Sequence, residues 1–222
     1  MISGDDRMKT SIAAVLVWTA FATAAHAQSP GGTPPSAPTR GYAEVVAQSA
    51  FGNVTSQSFG GEIGITVRPG IQVFVDAGMI RDAAPAALGV TAQTIAAGIA
   101  AAAGSADFRV KQPVTFGVAG LKYVVTSSGT KAEPYILVGG GVANVKRDVA
   151  FSTPAGDVNQ FVTLGGDLSG SETKGMVSLG AGVGLPLFRA LMIDLQYRYG
   201  RIFTSGGGLN ANRAGIGIGV RF

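Results

Sequence analysis

Toward its C-terminal end the chain alternates hydrophobic and polar positions one for one. Leu191, Ile193, Leu195, Tyr197 and Tyr199 share one parity, and Met192, Asp194, Gln196, Arg198 and Gly200 the other. After the link TSGGGLN, Ala214, Ile216, Ile218, Val220 and Phe222 alternate with Arg213, Gly215, Gly217, Gly219 and Arg221. A period of two predicts strands with one apolar face and one face that is polar or bare of side chains. These are the strands at 190–203 and 211–222, and six more candidates precede them, at 41–52, 57–68, 71–81, 111–126, 132–147 and 172–187. Ile63, Ile65 and Val67 align on the second, and Ile71, Val73, Val75 and Met79 on the third. In 111–126 and 132–147 apolar residues occupy both parities, so the pattern leaves their facing open. An apolar strand face looks inward in a soluble sandwich and outward to lipid in an outer-membrane barrel.

The N-terminus decides between the two. Met8, Lys9 and Thr10 make a short basic start, 11–24 is apolar, and Ala25-His26-Ala27 is an A-x-A site. This order predicts a secretory signal peptide over 1–27, cleaved after Ala27, and the apolar part is too short for a spanning helix. Asp5 and Asp6 suit such a segment poorly, which leaves Met1 and Met8 both open as the start. Residues 28–40 (QSPGGTPPSAPTR) read as a flexible periplasmic leader. The barrel domain is expected over 41–222. The chain's only Trp (Trp18) and only His (His26) fall in the signal. It has no Cys, which excludes disulfides and thiolate chemistry. The net charge of +4 is unchanged once Arg7, Lys9, Asp5 and Asp6 are set aside, and it is scattered, so no nucleic-acid partner is expected. Glycine, 34 of 222 residues, crowds into strand-like runs such as 139–141, 180–184 and 215–219. Small interior residues that let a narrow barrel close are one reason for glycine there.

The connections predict a topology. Pro69 and Gly70, 127–131 and 186–189 read as tight turns, and 53–56, 82–110, 148–171 and 204–209 as longer links. Long and short alternate, as in a bacterial barrel with periplasmic turns and extracellular loops, and an even strand number puts both ends in the periplasm. The expected fold is all-β: an eight-stranded, antiparallel, up-and-down transmembrane β-barrel. The chain resembles the small eight-stranded outer-membrane barrels, the group that includes the OmpA transmembrane domain and OmpX. The resemblance runs over 41–222 and rests on GIGIGVRF at the end, Gly120-Leu121-Lys122-Tyr123, KAEPYILVGGG and LQYRYGRIF. It implies residence in the bacterial outer membrane among its lipids. It also implies that Phe222 is the signal read by the barrel-assembly machinery. The chain departs from the group in having no Trp after residue 27, and no peptidoglycan-binding domain is expected after Phe222.

Chemistry is expected to be sparse. General base work near neutral pH falls most often to His, and 28–222 has none. Glu44, Glu62, Asp76 and Asp194 lie on inward parities, as do Arg68, Arg198, Arg213 and Arg221. Carboxylates beside arginines suit ion pairs better than proton shuttles. The expectation is an interior network built on Glu44, Glu62, Asp194, Arg198 and Arg213, filling a lumen that eight strands make just wide enough for side chains. Glu62, Arg198 and Arg213 are expected in its outer half, and Glu44, Asp194, Arg68 and Arg221 nearer the periplasm. Gly180-Ala181-Gly182-Val183-Gly184 lacks the context of a phosphate loop, and 157–172 lacks Ca²⁺-ligand spacing, so no cofactor or metal site is expected. In 82–110, Leu88, Ala92, Ile95, Ile99 and Ala102 make a narrow apolar helical stripe, fit to pack on the rim or to meet lipid or a partner. The function expected is non-enzymatic: envelope integrity or adhesion, with an extracellular partner at 82–110 and 148–171. The alternatives are a small porin-like channel or ligand-binding barrel, and a soluble, exported lipocalin-like barrel.

Overall fold

The computed structural model describes residues 41–125, 131–158, 168–188, 190–204 and 207–222. The signal and leader expected over 1–27 and 28–40, and most of the turn at 127–131, lie outside the described residues. In chain order the elements are β1 (Gly41–Phe51), β2 (Ser56–Arg68), β3 (Ile71–Ile80), α1 (Ala86–Ala103), β4 (Asp107–Lys111) and β5 (Val114–Val124). They continue with β6 (Glu133–Thr153), β7 (Gly156–Asp157), β8 (Ser169–Pro186), β9 (Leu191–Thr204) and β10 (Gly207–Arg221). Eight strands close a ring in the order β1, β2, β3, β5, β6, β8, β9, β10, every pairing antiparallel. β10 pairs back onto β1 from Tyr42↔Arg221 to Phe51↔Asn212, and Gly41 N and Phe222 N each donate to the other residue's carbonyl, at 2.7 and 3.0 Å. Closure leaves the ring no exposed strand edge.

The expected parities hold on β2, β3, β9 and β10: Ile63, Val75, Leu195 and Ile218 point outward, while Glu62, Asp76, Arg198 and Arg213 are buried inside. The facing of β5 and β6 is now fixed. Phe116, Val118, Lys122, Tyr135, Leu137, Ala143 and Val145 are buried, and Leu121, Tyr123, Ile136, Val138 and Val142 face out. Both parities looked apolar because part of the lumen is itself apolar. On the outside, side chains such as Val45 (69 % exposed) and Ile136 (61 %) make a belt. In water each such side chain would forgo roughly 1.5–3 kcal/mol of burial. Hydrocarbon is the solvent this belt suits.

Two expected links differ. The link placed at 204–209 is a tight hairpin: β9 ends at Thr204, β10 begins at Gly207, and Thr204 Oγ1 donates to the Gly207 carbonyl at 2.7 Å. Gly207 makes this possible by adopting φ +120°, which a side chain would oppose. The loop expected at 82–110 and the described parts of that at 148–171 carry helix and strand, while 159–167 lie outside the described residues. β6 runs on to Thr153, past the boundary set at 147, and pairs there with β4 and β7, forming an arm beyond the ring. Helix α1 starts after Pro85 and stops at Gly104 (φ +84°), whose N–H reaches the Ala100 carbonyl. Ala92 and Ala96 are buried against Val149 and Phe151, with Leu88, Ile95, Ile99 and Val110 packed around them. The stripe is therefore spent on the arm, with Ala96 taking the place expected for Ala102, which is exposed. Val149 and Phe151 continue the inward parity of β6, so α1 lies on the lumen side of the arm and not on the outward belt.

Candidate functional site

The lumen is the chemical centre of the molecule, and it is layered. Toward the loop end the inward side chains are mostly apolar: Ala50, Ile80, Val114, Val145, Met176, Ile202 and Leu209 form one buried cluster with Phe116, beside the buried Gln48, Ser58 and Ser178. Below it the register brings the charged residues together. Glu44 is opposite Glu62 across β1–β2, and Glu62 opposite Asp76 across β2–β3. Arg198 and Arg213 face each other across β9–β10.

Arg198 organises this layer. Its Nη2 bonds Glu62, its Nη1 lies 3.2 Å from Asp76 Oδ2, and its Nε donates to Gln196 Oε1 at 2.7 Å. Glu62 is also met by Lys122 Nζ and by the Tyr42 hydroxyl, each at 2.5 Å. Lys122 sits between the rings of Tyr42 and Tyr135, 4.4 Å from each centroid. Arg213 stacks over Phe116 at 4.1 Å, its Nη2 3.8 Å from Asp76 Oδ2. Glu62 and Arg198 are each 1 % exposed. Desolvated charges of this kind are tolerable only with partners of good geometry.

Of the expected network, Glu62 and Arg198 meet directly, and Arg213 meets Asp76. Glu44 and Asp194 make no ion pair with a described residue. Glu44 accepts from Gln196 Nε2 at 3.4 Å, and Asp194 from the Tyr135 hydroxyl at 2.5 Å. The expected division by depth fails at Glu44 and Glu62, which are cross-strand neighbours. Arg68 is exposed and outside the network. Arg221 makes a bidentate pair with Glu133 near the turn end, at 2.7 and 2.6 Å. Sequence reasoning missed Lys122, Tyr42, Tyr135 and the apolar layer. Glycines were a usable signal for the tyrosines. A Cβ at Gly64 would stand 2.6 Å from Tyr42 Cζ, and one at Gly182 2.5 Å from Tyr135 Cζ, so both rings lie flat over glycine backbone.

Phe222 is 68 % exposed at the foot of the seam, with its ring against Gly41.

No protein-family model and no curated protein matches the chain. Solved structures do. Neisserial surface protein A aligns at TM-score 0.50 and 13 % identity, over 82 % of this chain and 94 % of that one. The N-terminal β-barrel domain of Pseudomonas aeruginosa OprF aligns at 0.48 and 16 %, over 83 % and 98 %. Ail of Yersinia pestis aligns at 0.48 and 13 %, over 83 % and 99 %. The fold is that of the small outer-membrane β-barrels. Within that fold the arm of β4, β6, β7 and α1 is the large elaboration at the loop end, and the lumen beneath it is filled.

Proposed function

We propose that the protein is a non-enzymatic, integral outer-membrane barrel that acts at the cell surface through the arm formed by α1, β4, β6 and β7. The observation that carries this reading is the contrast between the two ends of the lumen axis. The interior is packed shut by an apolar layer over an ion-paired one. The large departure from a minimal barrel is a structured arm, with a helix packed against it. A channel would put its elaboration in the bore. A surface-contact protein puts it on the rim. The neisserial relative in fold is by name a surface protein, which fits this reading.

An export signal over 1–27, cleavage after Ala27 and a periplasmic leader over 28–40 belong to the same proposal, since a barrel of even strand number starts in the periplasm. So does the role of Phe222 in assembly, supported by its exposed place on the closing seam. Catalysis finds no support, because the carboxylates of the lumen are sealed from solvent and 41–222 has no His.

The test replaces 82–110 with a two-residue turn. The variant should still assemble, migrating faster unboiled than boiled in SDS gels. Cells carrying the parent should self-aggregate and be retained on protein-coated surfaces, and cells carrying the variant should lose both. Equal adhesion by parent and variant cells would overturn the reading.

A further inference from the structure

Strand β4 is paired on one side. Its partner is β6, from Asp107↔Ser152 to Lys111↔Asp148, and no described strand lies along its other edge. The neighbours of that edge fix its phase. Pro113, two residues on in the same register, accepts from Lys146 N at 3.0 Å. The odd residues of β4 therefore turn their backbone groups to β6, and the even ones turn theirs away. Of the even residues, Gln112 is already satisfied: its N–H donates to Asp82 Oδ1 at 3.0 Å and its carbonyl accepts from Ala83 N at 2.9 Å. Phe108 and Val110 have no described partner for the N–H and C=O they turn to this edge. The Phe108 side chain is 41 % exposed beside them, although its register partner Phe151 is buried against α1.

An open edge is a template for another strand, and charge on it usually deters pairing. Here the charges select a register instead. Asp107 and Arg109 have opposite signs, are exposed, and hold no ion pair with a described residue. Both lie on the face away from α1, because Phe108 and Val110 share the face of Phe151 and Val149. A second copy can lie antiparallel along this edge about a twofold axis. With Phe108 opposite its own counterpart, each Asp107 stands opposite the other copy's Arg109, and each Val110 opposite Ala106. The open N–H and C=O of the two Phe108 residues then satisfy each other. Centring the pair on Arg109 sets that residue against itself, and centring it on Val110 sets Arg109 against Lys111. Like charges directly opposite destabilise a strand pair. Of these three registers, the one centred on Phe108 alone opposes acid to base throughout.

We propose that the arm's partner is a second copy of this chain, joined edge to edge through β4 in the register centred on Phe108. The inference deepens the surface-contact reading and rests on it, since it names what the arm meets. A strand contact of five residues a side is small, so each pairing is weak and reversible. It gains strength where many copies share a surface.

The experiment follows the full chain, folded in detergent micelles, by sedimentation equilibrium over a range of protein concentrations. The parent should pass from monomer to dimer as concentration rises. Asp107→Arg and Arg109→Asp each set like charges opposite one another and should weaken dimerisation about tenfold or more. An equimolar mixture of the two variants should dimerise as the parent does, because each supplies the complement of the other. That recovery also shows that neither variant had failed to fold. Phe108→Cys, in a chain with no other Cys, should give a disulfide-linked dimer on mild oxidation, since facing Cα atoms of a strand pair lie within disulfide reach. Lys111→Cys should give none, its two copies standing about 20 Å apart in this register. The pairing is overturned by a parent that stays monomeric, by single variants that dimerise as the parent does, or by a mixture no stronger than its components. A monomeric parent whose cells still lose adhesion when 82–110 is replaced would overturn the pairing and leave the surface reading standing. Dimers with the expected charge dependence, in a protein whose cells adhere equally after that replacement, would support the pairing and overturn the surface reading.

Discussion

Replacing Arg198 by Met keeps the length of the side chain and removes its charge and donors from the centre of the lumen. Three contacts disappear: the pair with Glu62, the 3.2 Å pair with Asp76, and the bond to Gln196 Oε1. Breaking a buried pair by removing one partner costs about 3–5 kcal/mol, chiefly because a charge is left uncompensated. Two carboxylates losing one base argue for the upper end. Lys122, 2.5 Å from Glu62, and Arg213, 3.8 Å from Asp76, stay in place and argue against it. The balance is about 4 kcal/mol, close to a thousandfold in the folded-to-unfolded ratio. Removing Asp76 as well, in Arg198→Met with Asp76→Asn, leaves Glu62 with Lys122 and Tyr42 and should recover about 1–3 kcal/mol of coupling. Residues 41–222 carry no Trp to report their unfolding, the chain's only one being Trp18. Far-UV circular dichroism and the unboiled gel shift, over a urea series in vesicles, give the measurement. A single variant within about 1 kcal/mol of the parent, or a double variant no more stable than the sum of its single costs allows, would refute a buried, coupled network.

Three further outcomes are expected. Ile218→Arg, on the outward face between Val45 and Ile193 across the seam strands, should cost about 2–4 kcal/mol in vesicles, and an unchanged unfolding midpoint would mean the parity is misassigned. Deletion of Phe222 should reduce the yield of assembled barrel in cells well below that of substitutions in the arm, and equal yields would remove its proposed role in assembly. The parent in planar bilayers should show no steady conductance, and a large, stable, solute-passing current would promote the channel reading over the surface one.

The fold was legible because its strands obey two solvents at once. On β9 and β10 lipid selects Leu195, Ile216 and Ile218 for one face, while the narrow interior takes Gln196, Arg213 and glycines on the other. Period two is then unmistakable. On β5 and β6 the interior changes character along the same strand, from Lys122 and Tyr135 near the turns to Phe116 and Val145 near the loops. Alternation fades there because both faces become apolar, and the facing had to come from register. The arm was invisible for a related reason. Val149 and Phe151 continue the odd parity of β6, but the polar run Lys146-Arg147-Asp148 interrupts it, and the helix that covers them comes from an earlier part of the chain.

The lumen was legible only as a set of inward charges, and the pairing among them did not follow from parity. Parity places Glu44, Glu62, Asp194, Arg198 and Arg213 inside, but says nothing of reach. Arg198 spans to β2 and β3, and Lys122 enters from a strand whose facing was open. With Lys122 counted, Glu62 becomes doubly held, while Asp76 takes Arg198 at 3.2 Å and Arg213 at 3.8 Å. Leaving Glu44 and Asp194 as the unmatched acids is therefore a consequence of geometry, not of composition. A lumen net of charge by one unit, in a chain whose formal charge is +4, cannot be inferred from the overall balance. It also explains why glycine matters on the inward face in two different ways. At Gly64 and Gly182 it admits a tyrosine ring that steers a carboxylate, and at Gly217 a Cβ would crowd Glu44 Oε2 at 3.0 Å and Asp194 Cβ and Gln196 Nε2 at 3.3 Å.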